Sequence, residues 1–212
     1  MTIFWCRTDP WLAAPRAAVR FCEREGISTR DFFRAEELVP HAAGRFLLRA
    51  GFRRCRPGCP VPPVHPAPGG KPRFPGGRPA FSISHAGAVA VCAFSEGEIG
   101  VDVEQAGAVE PSLLSILRPE ELAFLQRTAR AARPQVFYRL WTQKESLIKA
   151  RGGTLADMFD QESVITPDLC WKDRLDGFFL RRPPFPEPGY VLAVSAGAEE
   201  PVTITRLELP RG

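Results

Sequence analysis

Nine prolines fall between Pro57 and Pro79, a density that neither a helix nor a central strand can carry, because each proline lacks the amide hydrogen both ladders need. The passage therefore reads as a long ordered loop wrapping a surface or as a linker, a choice that depends on the chemistry of the segments it joins. It also divides the charge. Residues 1–78 hold 14 Lys and Arg against 6 Asp and Glu, a balance of +8, whereas residues 79–212 hold 14 against 18, a balance of −4. A basic part facing an acidic part suits an anionic ligand held between them, with a cation on the acidic side; an Arg-rich solvated surface is the plain alternative. Nucleic acid is the competing partner. No basic stretch is interleaved with aromatics as single-strand binders require, and no zinc-finger or RNP signature occurs, so no nucleic-acid role is expected.

At 212 residues and 44% hydrophobic content, the chain can build one substantial domain or two small halves with a shared core. No segment approaches the ~20 consecutive apolar residues of a membrane span, and Arg7 and Asp9 interrupt the apolar N-terminus before a signal peptide could form. A soluble cytoplasmic protein without membrane partners is expected. Six scattered cysteines in such a chain are expected as reduced thiols. Cys55 and Cys59, with His41 and His65 nearby, resemble a zinc half-site, but no second paired motif supports it and a Pro/Gly loop is the simpler reading.

Residues 13–25 place Ala17, Ala18, Phe21 and Cys22 on one helical face, with Gly26 as a stop. A second helical stretch over roughly 34–50 ends at Gly51, and Pro40 should start a new helix or kink this one. From Phe81 the period changes. FSISH alternates, AVAVCAFS is nearly continuous and apolar, and EIGVDVE alternates again after Glu96 and Gly97, which predicts a hairpin with GVDVE as its second strand. Pro119 suits the first position of a helix, with Glu120 and Glu121 in its first turn. A longer helix runs from Pro134 to about Ala150, before Gly152 and Gly153. The last 50 residues return to short β runs. Helices mixed with antiparallel strands in both parts predict an α+β fold of two related halves.

The chemistry sits in GVDVE and WTQKESLIKARGG. Asp102 and Glu104 are two apart, so on a strand they share a side; Glu145 and Lys149 are four apart, so on a helix they share a face. Three carboxylates and one ammonium can converge, a set that suits Mg²⁺ and the phosphate oxygens it would neutralise. Each pair alone reads equally as solvated surface: an exposed strand side, and a helical ion pair worth about 0.3 to 0.5 kcal/mol. Residue usage tips the balance. The chain has 24 Arg but four Lys, of which Lys144 and Lys149 lie in WTQKESLIKARGG and Lys71 in the proline-rich passage, where a compact point charge has a use that Arg would not serve. His85, one of three histidines, comes directly after Ser84 at the end of an apolar strand and taken alone reads as a structural histidine.

The ordered motifs Gly70-Lys71-Pro72, Phe81 to His85 (FSISH), Gly100 to Glu104 (GVDVE) and Trp141 to Ala150 (WTQKESLIKA) resemble the 4'-phosphopantetheinyl transferases. Among them the chain is similar to the surfactin-synthetase type, a single chain of two similar halves. The resemblance implies an α+β fold whose halves, residues 1–105 and 106–212, are related by a pseudo-two-fold axis and form one integrated, monomeric enzyme. It implies transfer of the phosphopantetheine arm of coenzyme A to a serine of an apo acyl or peptidyl carrier protein, with release of adenosine 3',5'-bisphosphate. A catalytically idle relative that binds coenzyme A or a carrier is the alternative. It implies Asp102, Glu104 and Glu145 as Mg²⁺ ligands, Lys149 on the phosphates, Ser84 and His85 on the phosphates of coenzyme A, and Lys71 beside the adenine and 3'-phosphate. Glu145, directly or through water, would take the serine's proton, and Glu121 matches an acidic residue of supporting role. The proline-rich passage then becomes a loop crossing between the halves. The sequence departs from the family at Pro40, where an arginine is usual and Arg45 or Arg49 are candidate substitutes, at Ala86 after Ser84-His85, and at Thr154. The family carriers of fatty-acid, polyketide and peptide synthesis are not distinguished.

Overall fold

The structure, a computed structural model, describes residues 1–30, 32–66 and 70–210. Strand β1 (Thr2–Arg7) leads into helices α1 (Asp9–Ala13), α2 (Pro15–Arg24) and α3 (Ala35–Cys55). Short strands β2 (His65–Pro66) and β3 (Pro72–Arg73) pair antiparallel within the proline-rich passage, and β4 (Ala80–Ala86), β5 (Val89–Ser95) and β6 (Ile99–Gln105) come next. The remainder is α4 (Pro119–Arg127), α5 (Arg133–Arg151), β7 (Arg174–Leu175), β8 (Phe178–Arg181), β9 (Tyr190–Ala196) and β10 (Thr203–Arg206). No helix among the described residues is long and apolar enough to cross a membrane.

Two four-stranded sheets result, ordered β10-β1-β5-β4 and β6-β9-β8-β7. Successive residues along each strand face opposite sides of its sheet, and β5 and β9 are buried on both. On β5, Ala90, Cys92 and Phe94 pack under α2 and α3, while Val89, Val91 and Ala93 meet the other sheet. On β6, Val101 and Val103 join that intersheet core with Leu192 and Val194 of β9, which leaves Gly100, Asp102 and Glu104 on the side covered by α5. A third core beneath α5 gathers Phe137, Leu140, Leu147, Met158 and Leu180. The mixed α+β class expected from the sequence is observed.

Four local expectations change. The helix expected over 13–25 is α2, opened by Pro15 at its first position, and an unexpected short helix, α1, precedes it. The second runs unbroken through Pro40 and Gly51 to Cys55; Pro40 forfeits one amide bond early in a 21-residue helix, and Gly51 lets α3 press on the Phe4 and Phe94 rings, where a Cβ would lie 2.6 Å from each. The hairpin is β4–β5, with Ala86 opposite Val89, and β6 pairs instead with β9. Strand β5 is already flanked by β1 and β4, so it offers β6 no free edge. Strand β10 runs parallel to β1, so the chain's last strand completes the sheet built from its first.

Candidate active site

Alternation on β6 turns Asp102 and Glu104 toward α5, and the helical period turns Glu145 and Lys149 toward β6. The two elements touch through backbone: a Cβ on Gly100 would fall on Ser146 O and Ala150 N. This contact brings one oxygen each of Asp102, Glu104 and Glu145 within 4.8 Å of one another. Lys149 Nζ donates to Asp102 Oδ1 at 2.7 Å and Glu145 Oε1 at 2.9 Å, and Ser84 Oγ donates to the same Asp102 oxygen at 2.6 Å. Trp141 Nε1 donates to Glu145 Oε2 at 3.0 Å, from one turn earlier on α5.

The charges do not balance. Three carboxylates face one ammonium, so the ionised set carries a formal −2. Burial, offset by Lys149 and reinforced by Glu145, pushes Asp102 up to about 6. Burial, then Asp102 and Glu145, push Glu104 up to about 7. Burial opposes the charge on Lys149, but Asp102 and then Glu145 outweigh it and hold that ammonium above the usual lysine range. Asp102 Oδ2 is buried and has no hydrogen-bond partner. An orphaned carboxylate oxygen, hard oxygen donors and an excess of −2 fit a divalent cation of the oxygen-loving kind.

The cluster opens into a cleft of about 390 Å³ lined also by Pro40, His41, Arg45, Ile83, Ser84 and His85. Desolvation beside the cleft wall, then the Lys149 charge, hold His85 below its ordinary pKa; burial and then Arg45 do the same to His41. A second cavity of about 400 Å³ continues past His41 and Arg45 toward Glu25, Phe32 and Arg49. Arg49 is paired with Glu25, whereas Arg45 forms no ion pair among the described residues. On the other side of Lys149 lies a cavity of about 350 Å³ walled by Lys71, Phe81, Ser82, Gly152 and Gly153.

Of the residues expected at the site, Ser84, His85, Asp102, Glu104, Glu145 and Lys149 come together around one cleft. Lys71 is placed differently. Its stem lines the neighbouring cavity, but its Nζ donates to Ile99 O at 2.8 Å and to Ala150 O and Glu98 Oε2 at 3.3 Å. Glu121 and Lys144 form a fully buried ion pair at 3.1 Å, and Glu121 also accepts from the amides of Arg118 and Val164. That pair ties α4 and the segment around Val164 to α5. Sequence reading gave no role to Trp141 as a donor to Glu145, although their i,i+4 spacing was the available signal. Among the described residues, the carboxylates above are the one group of three or more His, Cys, Asp or Glu placed to share a metal, so Cys55 and Cys59 form no such group.

Residues 98–194, the span from β6 through β9, match the model of the 4'-phosphopantetheinyl transferase superfamily. Over that span the chain is similar to members of that superfamily. Its similarity to curated 4'-phosphopantetheinyl transferases extends beyond the matched span. It is 31% identical over 135 residues to 4'-phosphopantetheinyl transferase AcpT of Salmonella typhimurium, covering 60% of this chain and 66% of that one. It is 36% identical over 100 residues to 4'-phosphopantetheinyl transferase Sfp of Bacillus subtilis, covering 45% and 43%. A third relative, 4'-phosphopantetheinyl transferase gsp of Aneurinibacillus migulanus, is 36% identical over 73 residues, covering 34% and 31%. The chain thus spans less than two thirds of the length of each of these relatives. Within the superfamily match fall Asp102, Glu104, Glu145 and Lys149; Lys71, Ser84 and His85 precede it.

Proposed function

We propose that this protein transfers the 4'-phosphopantetheine arm of coenzyme A to a serine hydroxyl of an apo acyl or peptidyl carrier protein and releases adenosine 3',5'-bisphosphate. The observation that carries the reading is the convergence of Asp102, Glu104 and Glu145 on one point beside Lys149, with an excess of −2 and an orphaned Asp102 oxygen.

Asp102, Glu104 and Glu145 would hold Mg²⁺, which when bound supplies charge neutralisation to a pyrophosphate. The remaining chemistry belongs to the chain's own groups. Lys149, kept charged by the carboxylates, is poised to turn its ammonium to phosphate oxygens and to stabilise the negative charge that develops on the departing bisphosphate. Ser84 and His85 line the cleft where the phosphates would lie; His85 offers a ring N–H from one rigid strand, and Ser84 would turn to a phosphate the hydroxyl hydrogen it now gives Asp102. Glu145, oriented by the Trp141 indole, is the proposed acceptor for the serine's proton, directly or through water. Lys71 would contribute its stem to the wall of the ligand cavity. The like strand orders β1-β5-β4 and β6-β9-β8 support a pseudo-two-fold relation between two units, of which β6 would open the second, where the expected bounds of 1–105 and 106–212 had it close the first. A cytoplasmic monomer is the setting this implies.

The test is incubation with coenzyme A, Mg²⁺ and several apo carrier proteins, then mass spectrometry of the acceptor. A mass gain equal to phosphopantetheine on one serine is expected. No gain on any carrier from folded protein that still binds coenzyme A would favour an idle binder, and release of phosphopantetheine without an acceptor would indicate hydrolysis.

A further inference from the structure

We propose that Lys71 is a positioning residue that locks β6 against α5, so that its ammonium acts on the site by holding the carboxylates in register and makes no contact with the ligand. The inference rests on the transferase reading for its rate predictions and on geometry alone for its structural one.

The two elements that meet at the site carry its groups on opposite sides of a seam: Asp102 and Glu104 on β6, Glu145 and Lys149 on α5. At Gly100 the seam is backbone on backbone, with no side chain between. At that point no side chain interdigitates, and the Lys149–Asp102 pair crosses the seam farther along it. Lys71 Nζ spans the end of it. It donates to the carbonyl of Ile99, three residues before Asp102, and to that of Ala150, one residue past Lys149. Ala150 O lies in the last turn of α5, where carbonyls lack helical partners and a cation is favourable. Its third acceptor, Glu98, sits just before β6 and takes Arg73 on its other oxygen, so it is itself held. Lys71 and Lys149 each have three acceptors for three hydrogens, but two of those of Lys71 are main-chain carbonyls fixed in β6 and α5, whereas those of Lys149 are the side chains of Ser84, Asp102 and Glu145, which can turn. A guanidinium would spread its donors over a plane, whereas the acceptors of Lys71 surround a point, which accounts for lysine in a chain with 24 Arg and four Lys.

The experiment compares Lys71→Met, which keeps the stem and loses the donors, with Glu98→Gln, which keeps both carbonyl bonds. Hydrogen exchange of peptides covering 99–104 and 145–153 is measured first, and it needs neither ligand nor activity. Lys71→Met is expected to speed exchange in both by at least about threefold, with other core peptides unchanged. In the transfer assay it should lower kcat by about 10- to 100-fold while leaving the Kd for coenzyme A within about twofold, since misplacement by about an ångström costs that much in rate. Glu98→Gln should change kcat by less than about threefold. Unaltered exchange in both peptides would overturn the proposal. So would a coenzyme A Kd raised at least about tenfold with kcat preserved, which is the mark of a ligand contact, or a lower melting temperature with kcat and Kd intact, which is the mark of stability alone. If the wild-type protein transfers nothing, the function fails while the exchange result still decides the lock.

Discussion

Lys149 Nζ lies 2.7 Å from Asp102 Oδ1, joining the last turn of α5 to the centre of β6. Asp102 has 1% of its surface exposed, so this is a bond made away from water, and it leaves Asp102's other oxygen unpaired. Burial first, and then the neighbouring carboxylates that one ammonium cannot satisfy, make Asp102 and Glu104 hold their protons more tightly.

That response gives a pH dependence with a definite sign. Asp102 and Glu104 titrate at about 6 and about 7 in the fold, against 3.8 and 4.5 ordinarily. Between those values the folded chain holds more protons than the unfolded one, so these groups make the metal-free protein less stable as pH rises. A divalent cation needs both ionised. Magnesium should therefore raise the melting temperature more at about pH 8 than at about pH 6, and at 100 times its Kd should add about 2.7 kcal/mol. Equal thermal shifts at both pH values, in wild type and in Glu104→Gln, would count against a shared cation site.

Glu145 is held at both oxygens, by Lys149 and by Trp141. Glu145→Gln should lower kcat/KM by at least about 100-fold if, as proposed, the group serves the cation and the proton together. Trp141→Phe keeps the ring and removes only the indole donor, so a drop of about tenfold is expected, in line with one hydrogen bond to a charged acceptor. Steady-state kinetics on folded variants decide this; a Trp141→Phe enzyme at full rate would free Glu145 from the indole.

The Glu121–Lys144 pair has no exposed surface on either side chain. Glu121→Gln or Lys144→Met alone strands a buried charge and should cost about 3 to 5 kcal/mol in urea unfolding. The double replacement should recover part of that loss. Additive losses in the double-mutant cycle would show that the two residues act separately.

The +8 balance of residues 1–78 favours an acidic carrier. The KM for the carrier should rise with ionic strength, steeply once the screening length falls to about 8 Å. A carrier KM indifferent to salt would remove electrostatic steering from its recognition.

Much of the site was legible because its spacing is local. A period of two puts Asp102 and Glu104 on one side of a strand, and a period of 3.6 puts Glu145 and Lys149 on one face of a helix, whatever surrounds them. The helix begun at Pro119 and the stop at Gly152, which takes the left-handed conformation at φ 78°, were readable for the same reason. The partner of β6 was not. Local alternation says which way Asp102 points but not which strand lies beside it, and β5 had no edge to offer because β1, about 85 residues earlier, had taken it.

By itself, then, the sequence determined the groups and their pairing by element: carboxylates on a strand, a carboxylate and a lysine on a helix, and a basic part before an acidic one. Only the tertiary structure decided which charged groups face the cleft and which face the protein. Lys71 and Lys149 are alike in sequence, yet one ammonium is consumed by the carbonyls of Ile99 and Ala150 and the other lies among the carboxylates. The reason is that a side chain's acceptors come from elements distant along the chain, and those are set by sheet edges and backbone contact such as that at Gly100, which no local period encodes.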